Sequence, residues 1–229
     1  MLKTMLMTIP LTLPSAGVQK PSTTLNVMSY NIHHGESVAG TLELEAIADV
    51  IRTYKPDIIG LQEIDRHFSE RSDFRDQAAD LAKLLGMQHC FGANLDSESE
   101  TPGKSRAQYG TAILSPHLLT KCQNILLPRR SEDEQRGLLG ATVTFGSWTF
   151  RAYSTHSQQG SEAARLEQVD AILAAIPQNA QKTLLLGDLN TTPEAREIKL
   201  LTRRFDDSWS AGRGVEFTYP AEAPESRID

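Results

Sequence analysis

The sequence predicts one α/β domain. Short apolar runs such as Ile58-Ile59-Gly60-Leu61 and residues 183–186 suit strands buried on both faces. Apolar residues recur at helical spacing in three separate segments between such runs. No repeat, low-complexity tract or linker divides the 229 residues, a length that one large core accommodates.

The elements follow in order. Residues 1–20 carry one early positive charge, Lys3, and an apolar stretch interrupted by Thr8, Pro10 and Thr12; the small residues Ser15-Ala16-Gly17 follow. This reads as a leader, either a signal peptide or a disordered segment, outside the fold, so that the domain proper is 21–229. A signal would make the protein secreted or periplasmic, with a mature start near Val18; without one it would be cytoplasmic. Residues 25–30 alternate as a strand running into Asn31. Thr41 is placed to cap a helix whose inner face is Leu44, Ile47, Ala48 and Ile51, and Lys55-Pro56-Asp57 ends it. The run at 58–61 then delivers Gln62 and Glu63. A helix over 75–85 precedes a C-capping Gly86, and 87–92 reads as a strand. Residues 94–108 are polar and read as a long exposed loop. Strands follow at 110–114, 121–127 and 138–145, with a hairpin at Gly146-Ser147 returning through 148–153. A helix over 163–176, a buried strand over 183–186 and a helix over 193–201 opened by Pro193 complete the pattern.

Composition narrows the partners. Hydrophobic residues make up 39% and charged residues 23%, ordinary values for a folded protein. The net charge of -6 gives no bulk attraction to a nucleic-acid backbone, although a bound cation would still attract phosphate locally. No apolar run approaches the ~20 residues of a membrane span. Cys90 and Cys122 lie among apolar residues and read as buried thiols in strands in preference to a bridge. Trp148 and Trp209 read as core.

Polar groups stand just past the ends of the buried strands: Asn31, Glu63, His156, Asp188 and Asn190. In α/β sheets ligands bind where such ends converge. Hard divalent cations take oxygen ligands, commonly one or two carboxylates with waters and substrate phosphate, and Glu63 and Asp188 meet that need. Taken singly, each has a plainer reading. Glu63 is then a buried ion-pair member, Asp188-Leu189-Asn190 an Asx turn, and His156 a core histidine. His33 and His34 read as wall residues, since neighbours on a strand point to opposite faces.

Together the motifs resemble the metal-dependent endonuclease/exonuclease/phosphatase superfamily, in order from about residue 25 to the end. Met28-Ser29-Tyr30-Asn31-Ile32-His33-His34-Gly35 is similar to its first motif. Asp57-Ile58-Ile59-Gly60-Leu61-Gln62-Glu63-Ile64-Asp65 is similar to its second. Tyr109-Gly110-Thr111-Ala112-Ile113-Leu114-Ser115, Arg136-Gly137-Leu138-Leu139, Thr155-His156 and Gly187-Asp188-Leu189-Asn190 resemble later segments. Thr218-Tyr219-Pro220 and Arg227-Ile228-Asp229 resemble the last pieces before the family's terminal strand.

The resemblance implies a four-layer α/β sandwich, two packed mixed sheets flanked by helices. It implies a hydrolase cleaving phosphodiester or phosphomonoester bonds by in-line attack of water, with Mg²⁺ as cofactor and Mn²⁺ as its substitute. Glu63 would be the principal metal ligand with Asn31 beside it. Asp188 would orient or deprotonate the water, and Asn190 and His156 would contact the phosphoryl oxygen. His33, His34, Tyr109 and Arg136 would face the substrate. Two departures stand out: Ser157 and Gln158 follow Thr-His, where the family continues with Leu and Asp or Asn. The sequence also stops at Asp229, before the family's Ser-Asp-His, so Asp229 would lack the histidine it orients. This creates the expectation of a missing C-terminal strand, in a fragment or degenerate copy of a protein roughly 25 to 40 residues longer. The alternative function is a catalytically impaired fragment or a phosphate-ligand binding module without turnover. The superfamily's substrates span nucleic acids, inositol phosphates and sphingomyelin. The acidic balance favours a small-molecule or lipid-derived phosphoester over duplex DNA, with no stable protein partner expected.

Overall fold

The computed structural model describes residues 3–11, 23–37, 39–99, 101, 103–178, 182–211 and 217–229. The strands are β1 (Lys3–Leu11), β2 (Thr23–Asn31), β3 (Ile58–Arg66), β4 (Gln88–Ser97), β5 (Ala107–Ser115), β6 (Leu118–Leu126), β7 (Gly137–Phe145), β8 (Trp148–His156) and β9 (Thr183–Asp188). The helices are α1 (Leu44–Tyr54), α2 (Gln77–Leu85), α3 (Glu162–Ala175) and α4 (Arg196–Leu201). A five-stranded sheet runs β1-β2-β3-β5-β4 and a four-stranded sheet runs β6-β7-β8-β9. Each holds one parallel pair, β2 with β3 and β8 with β9, among antiparallel neighbours.

Strand alternation builds the layers. Because side chains switch faces at every residue, each strand feeds two cores. In β2, Met28 and Tyr30 pack with Ile47 and Ile51 of α1 and Leu81 of α2, an outer core beneath the first two helices. Leu25 and Val27 point the other way and meet Leu139, Val143, Ala152 and Leu186 between the sheets. A third core joins Leu138 and Tyr153 to Val169, Ile172 and Leu201 of α3 and α4. Three cores between four layers make the sandwich. Burying each large aliphatic side chain contributes ~1.5–3 kcal/mol, so all three interfaces are needed. Gly60 marks one point where the sheets press together: a Cβ there would stand 2.9 Å from Leu186 Cβ.

Several sequence expectations change. Residues 1–20 are not wholly outside the fold, since β1 pairs antiparallel with β2 from Lys3↔Asn31 to Leu11↔Thr23. The stretch Met5, Met7, Ile9, Leu11 has the period of a strand, a signal masked by its length and leader-like ends. The proposed cleavage region at Ser15-Ala16-Gly17 lies outside the described residues. The loop at 94–108 is shorter than its composition suggests, because β4 continues to Ser97 and β5 begins at Ala107. Arg106 pairs with Asp96 and Glu98 across that turn, so charged side chains there stabilise strand ends. Helix α1 starts after Glu43 with no side-chain cap, and Thr41 instead donates to Glu43. Helix α4 begins at Arg196, beyond Pro193. Cys90 and Cys122 are not free thiols: they form a disulfide from β4 to β6 that ties one sheet to the other. The two strands belong to different sheets and face each other, a neighbour relation that sequence spacing does not encode. Trp148 and Trp209 are half-buried and stack under Lys182 and Arg227 respectively.

Candidate active site

The site follows from strand parity. Asn31 falls on the same face of β2 as Leu25 and Val27, and His156 shares a face of β8 with Phe150 and Ala152. Asp188 shares a face of β9 with Leu184 and Leu186. All three therefore close the inter-sheet layer at the carboxyl ends of parallel pairs, where Asn31↔Gln62 and His156↔Asp188 are in register. Glu63 arrives by another route. The β3–β5 register shifts between Leu61 and Ile64, and Glu63 has φ 59°. A bulge of this kind re-aims one side chain. Ile59 and Leu61 precede it and Ile64 follows it, all in the outer core, while Glu63 turns into the site.

Asn31 is the hub. Its Nδ2 donates to Glu63 Oε1 at 2.8 Å and to Asp188 Oδ2 at 3.1 Å, and its Oδ1 accepts from the His33 N–H at 3.0 Å. Burial alone would push the Glu63 carboxyl up. The His34 ring 3.7 Å away, nearby His156, the Asn31 amide and His33 outweigh that and hold it down at about 2. Asp188 has no exposed surface; its Oδ1 accepts the Asn190 N–H at 3.0 Å, and its Oδ2 lies 3.9 Å from His156 Nε2. Asn190 has φ 51°, and its Nδ2 donates to the Ser157 carbonyl at 2.9 Å. Arg136 Nη1 donates to His156 Nδ1 at 3.0 Å. A guanidinium has no acceptor, so Nδ1 carries the lone pair and Nε2 the proton. The same Nη1 lies 2.7 Å from Glu134 Oε1. Burial raises the Glu134 carboxyl, and Glu63 adds to the rise against the pull of Arg136 and Arg71.

These groups open into a cavity of about 770 Å³ lined by Asn31, His33, His34, Glu63, Tyr109, Arg136, His156 and Asn190. Phe68, Arg71, Leu95 and Glu134 are also among its walls. Arg71 is held by both oxygens of fully buried Asp65, at 2.8 and 2.7 Å, and lies over the Phe68 and Tyr109 rings. Burial of Tyr109, with Glu63 and Glu134 nearby, pushes its phenol up, so it stays a neutral O–H.

The structure therefore brings together Glu63, Asn31, Asp188, Asn190, His156, His34, Tyr109 and Arg136 from six separate segments. Asp229 lines a neighbouring groove with Ser29, Leu189, Thr191 and Arg227, beside which Leu189 N–H donates to Ile228 O at 2.7 Å. Sequence reasoning missed Arg71, Phe68, Glu134 and Glu36. Asp65, two residues past Glu63 in a motif already singled out, was the one available pointer to Arg71. The adjacency premise for His33 and His34 also fails. They lie in the 3-10 turn His33–Gly35, both at positive φ, with ring centroids 4.3 Å apart. Among the described residues no helix is long and apolar enough to cross a membrane.

Solved structures share this architecture. An endonuclease/exonuclease/phosphatase from Beutenbergia cavernae DSM 12333 superposes with a TM-score of 0.62 at 25% identity, over 74% of this chain and 48% of that one. The chain thus spans about half the length of that relative. The mannosyl-6-phosphatase of Bacteroides thetaiotaomicron VPI-5482 gives 0.58 at 14% identity, over 78% of this chain and 70% of that one. The human Nocturnin catalytic domain with bound sulfate gives 0.56 at 22% identity, over 78% and 68%. Among curated proteins, none matches. A family profile matches residues 28–229, so the fold, the ordered motifs and this match agree: the chain belongs to the endonuclease/exonuclease/phosphatase family.

Proposed function

We propose that this protein is a divalent-metal-dependent phosphoesterase acting on small or lipid-derived phosphate esters. The observation that carries the reading is the opposition inside one cavity of the Glu63 carboxylate, linked through Asn31 to buried Asp188 behind it, to a cationic wall, Arg71 and Arg136. The depressed Glu63 carboxyl is ionised at any neutral pH and suits a hard cation such as Mg²⁺ or Mn²⁺. When bound, the ion would supply charge neutralisation at the phosphoryl group. Asn31 orients Glu63 by occupying Oε1, which leaves Oε2 toward the cavity. His156 presents Nε2–H, and Asn190 its second amide hydrogen, to the phosphoryl oxygens; losing one such preorganised donor costs ~10²–10³-fold in rate. Asp188, wholly buried, acts on the attacking water through Asn31, Asn190 and His156 as a positioning carboxylate. Arg71, Tyr109 and Phe68 would bind the remainder of the substrate, and the net charge of -6 favours a compact ester over a duplex.

The test is hydrolysis of a panel holding phosphomonoesters, a small diester, sphingomyelin, inositol phosphates, RNA and duplex DNA, with and without EDTA. Metal-dependent turnover of a small ester, reduced on the order of 10²-fold or more by Glu63→Gln, is the expected result. EDTA-insensitive turnover would sink the reading. Tight phosphate binding with no turnover would favour the non-hydrolytic binding module instead, and a preference for duplex DNA would overturn the substrate class.

A further inference from the structure

The turn His33–Gly35 places two imidazoles where the family resemblance calls only for oxygen donors. A ring nitrogen of His33, one of His34 and a carboxylate oxygen of Glu63 all lie within 4.8 Å of one another. The turn is built to hold them there. Gly35 N–H donates to Ile32 O and Glu36 N–H to His33 O, and buried Gln77 donates to the His34 carbonyl while accepting from Asp65 N–H. A side chain at Gly35 would collide with Leu42, Leu44 and Gln77.

His34 is the informative residue. Its Nε2 lies 2.8 Å from Glu36 Oε2, and its Nδ1 faces Glu63 Oε2 at 3.7 Å. Two donors each about 2.1 Å from one tetrahedral ion stand about 3.4 Å apart. The sequence carboxylate, imidazole, open position is the arrangement in which an outer carboxylate orients a metal-bound histidine.

We propose that His33, His34 and Glu63 form a mixed nitrogen–oxygen site that selects a first-row transition-metal ion over Mg²⁺, with Glu36 as the positioning residue of His34. This rests on Glu63 being a metal ligand, as in the proposed function. Imidazole suits borderline ions such as Co²⁺ and Zn²⁺, whereas Mg²⁺ takes oxygen ligands and keeps its waters.

The experiment is titration of the purified full chain with Co²⁺, read by visible absorption, and with Mg²⁺ by calorimetry, alongside His34→Ala, His33→Ala, Glu36→Gln and Glu63→Gln variants checked for folding by circular dichroism. Co²⁺ should bind far more tightly than Mg²⁺ and give an absorption band that both histidine variants weaken. Glu36→Gln should keep the band while lowering Co²⁺ affinity by ~10–100-fold. If a histidine variant loses its fold, the folded Glu36→Gln protein decides the matter. Unchanged Co²⁺ affinity in the folded His34→Ala or Glu36→Gln protein would overturn the site, as would equal affinity for the two ions. Loss of binding only in Glu63→Gln defeats this inference while leaving the phosphoesterase reading intact. A histidine-dependent band in a chain that hydrolyses no phosphoester defeats that reading while leaving the site.

Discussion

Glu63 and Arg136 each reach their roles through a local constraint with a measurable consequence. The folded Glu63 carboxyl sits at about 2, below its ordinary 4.5. A depressed carboxylate stabilises the fold fully above the unfolded value, and that stability fades as pH falls from about 4.5 through about 2. The difference corresponds to roughly 3 kcal/mol. Urea midpoints of the metal-free protein should therefore drop over that acid window, and Glu63→Gln should flatten this part of the profile. An unaltered profile in the variant would show that other carboxylates dominate. Arg136 holds His156 in one tautomer from Nδ1. Arg136→Met should let both tautomers populate in ¹⁵N spectra of the ring and lower turnover by about 10²-fold, the lower end of the range for lost acid–base function. Fixed Nε2–H signals in the variant would assign Arg136 to the substrate alone. The polar residues at strand ends were legible in the sequence because buried strands announce their termini. The direction of Glu63 was not, since a bulge depends on the partner strand's register. The His33–His34 turn was hidden too, because a strand-like motif gives no sign that its next residues adopt positive φ.

Elements show the same division. Helices α1, α2 and α3 follow their apolar spacing, and Gly86 ends α2 at φ 65° as its position predicts. The long strands β4 and β5 extend past the apolar stretch that signals them, because ladder pairing with a neighbour outweighs local polarity. Edge strand β1 and the Cys90–Cys122 bridge are pairings between distant segments, and composition cannot reveal either. Gly60, facing Leu186, tests how firmly two strands from opposite sheets are pressed together. Gly60→Ala should destabilise by ~1–3 kcal/mol through overpacking, read from urea unfolding. A neutral result would mean that the strands part easily at that level. The bridge, across a sequence separation of 32, should contribute ~2–4 kcal/mol. Cys90→Ser with Cys122→Ser should lower the thermal midpoint accordingly, and an equal midpoint would show that packing already holds the sheets together.

For the whole molecule, a ligand bound only by the folded state raises stability by mass action, about 2.7 kcal/mol at a hundredfold excess over Kd. A thermal shift with Co²⁺ exceeding that with Mg²⁺ at equal concentration is expected, and the reverse order would favour an all-oxygen site. The net charge of -6 leaves the field around Arg71 and Arg136 a local one. Raising ionic strength should therefore weaken substrate capture less than it would for a protein that tracks a nucleic-acid backbone. The division of the site between layers has a further effect. Asn31 and Glu63 ride on one sheet, His156 and Asp188 on the other, and a single amide joins the two carboxylates. The centre thus behaves as a strain gauge across the inter-sheet seam. A separation too small to expose the apolar core would already break alignment. Under mild urea or pressure, function should fade while circular dichroism still reports intact secondary structure.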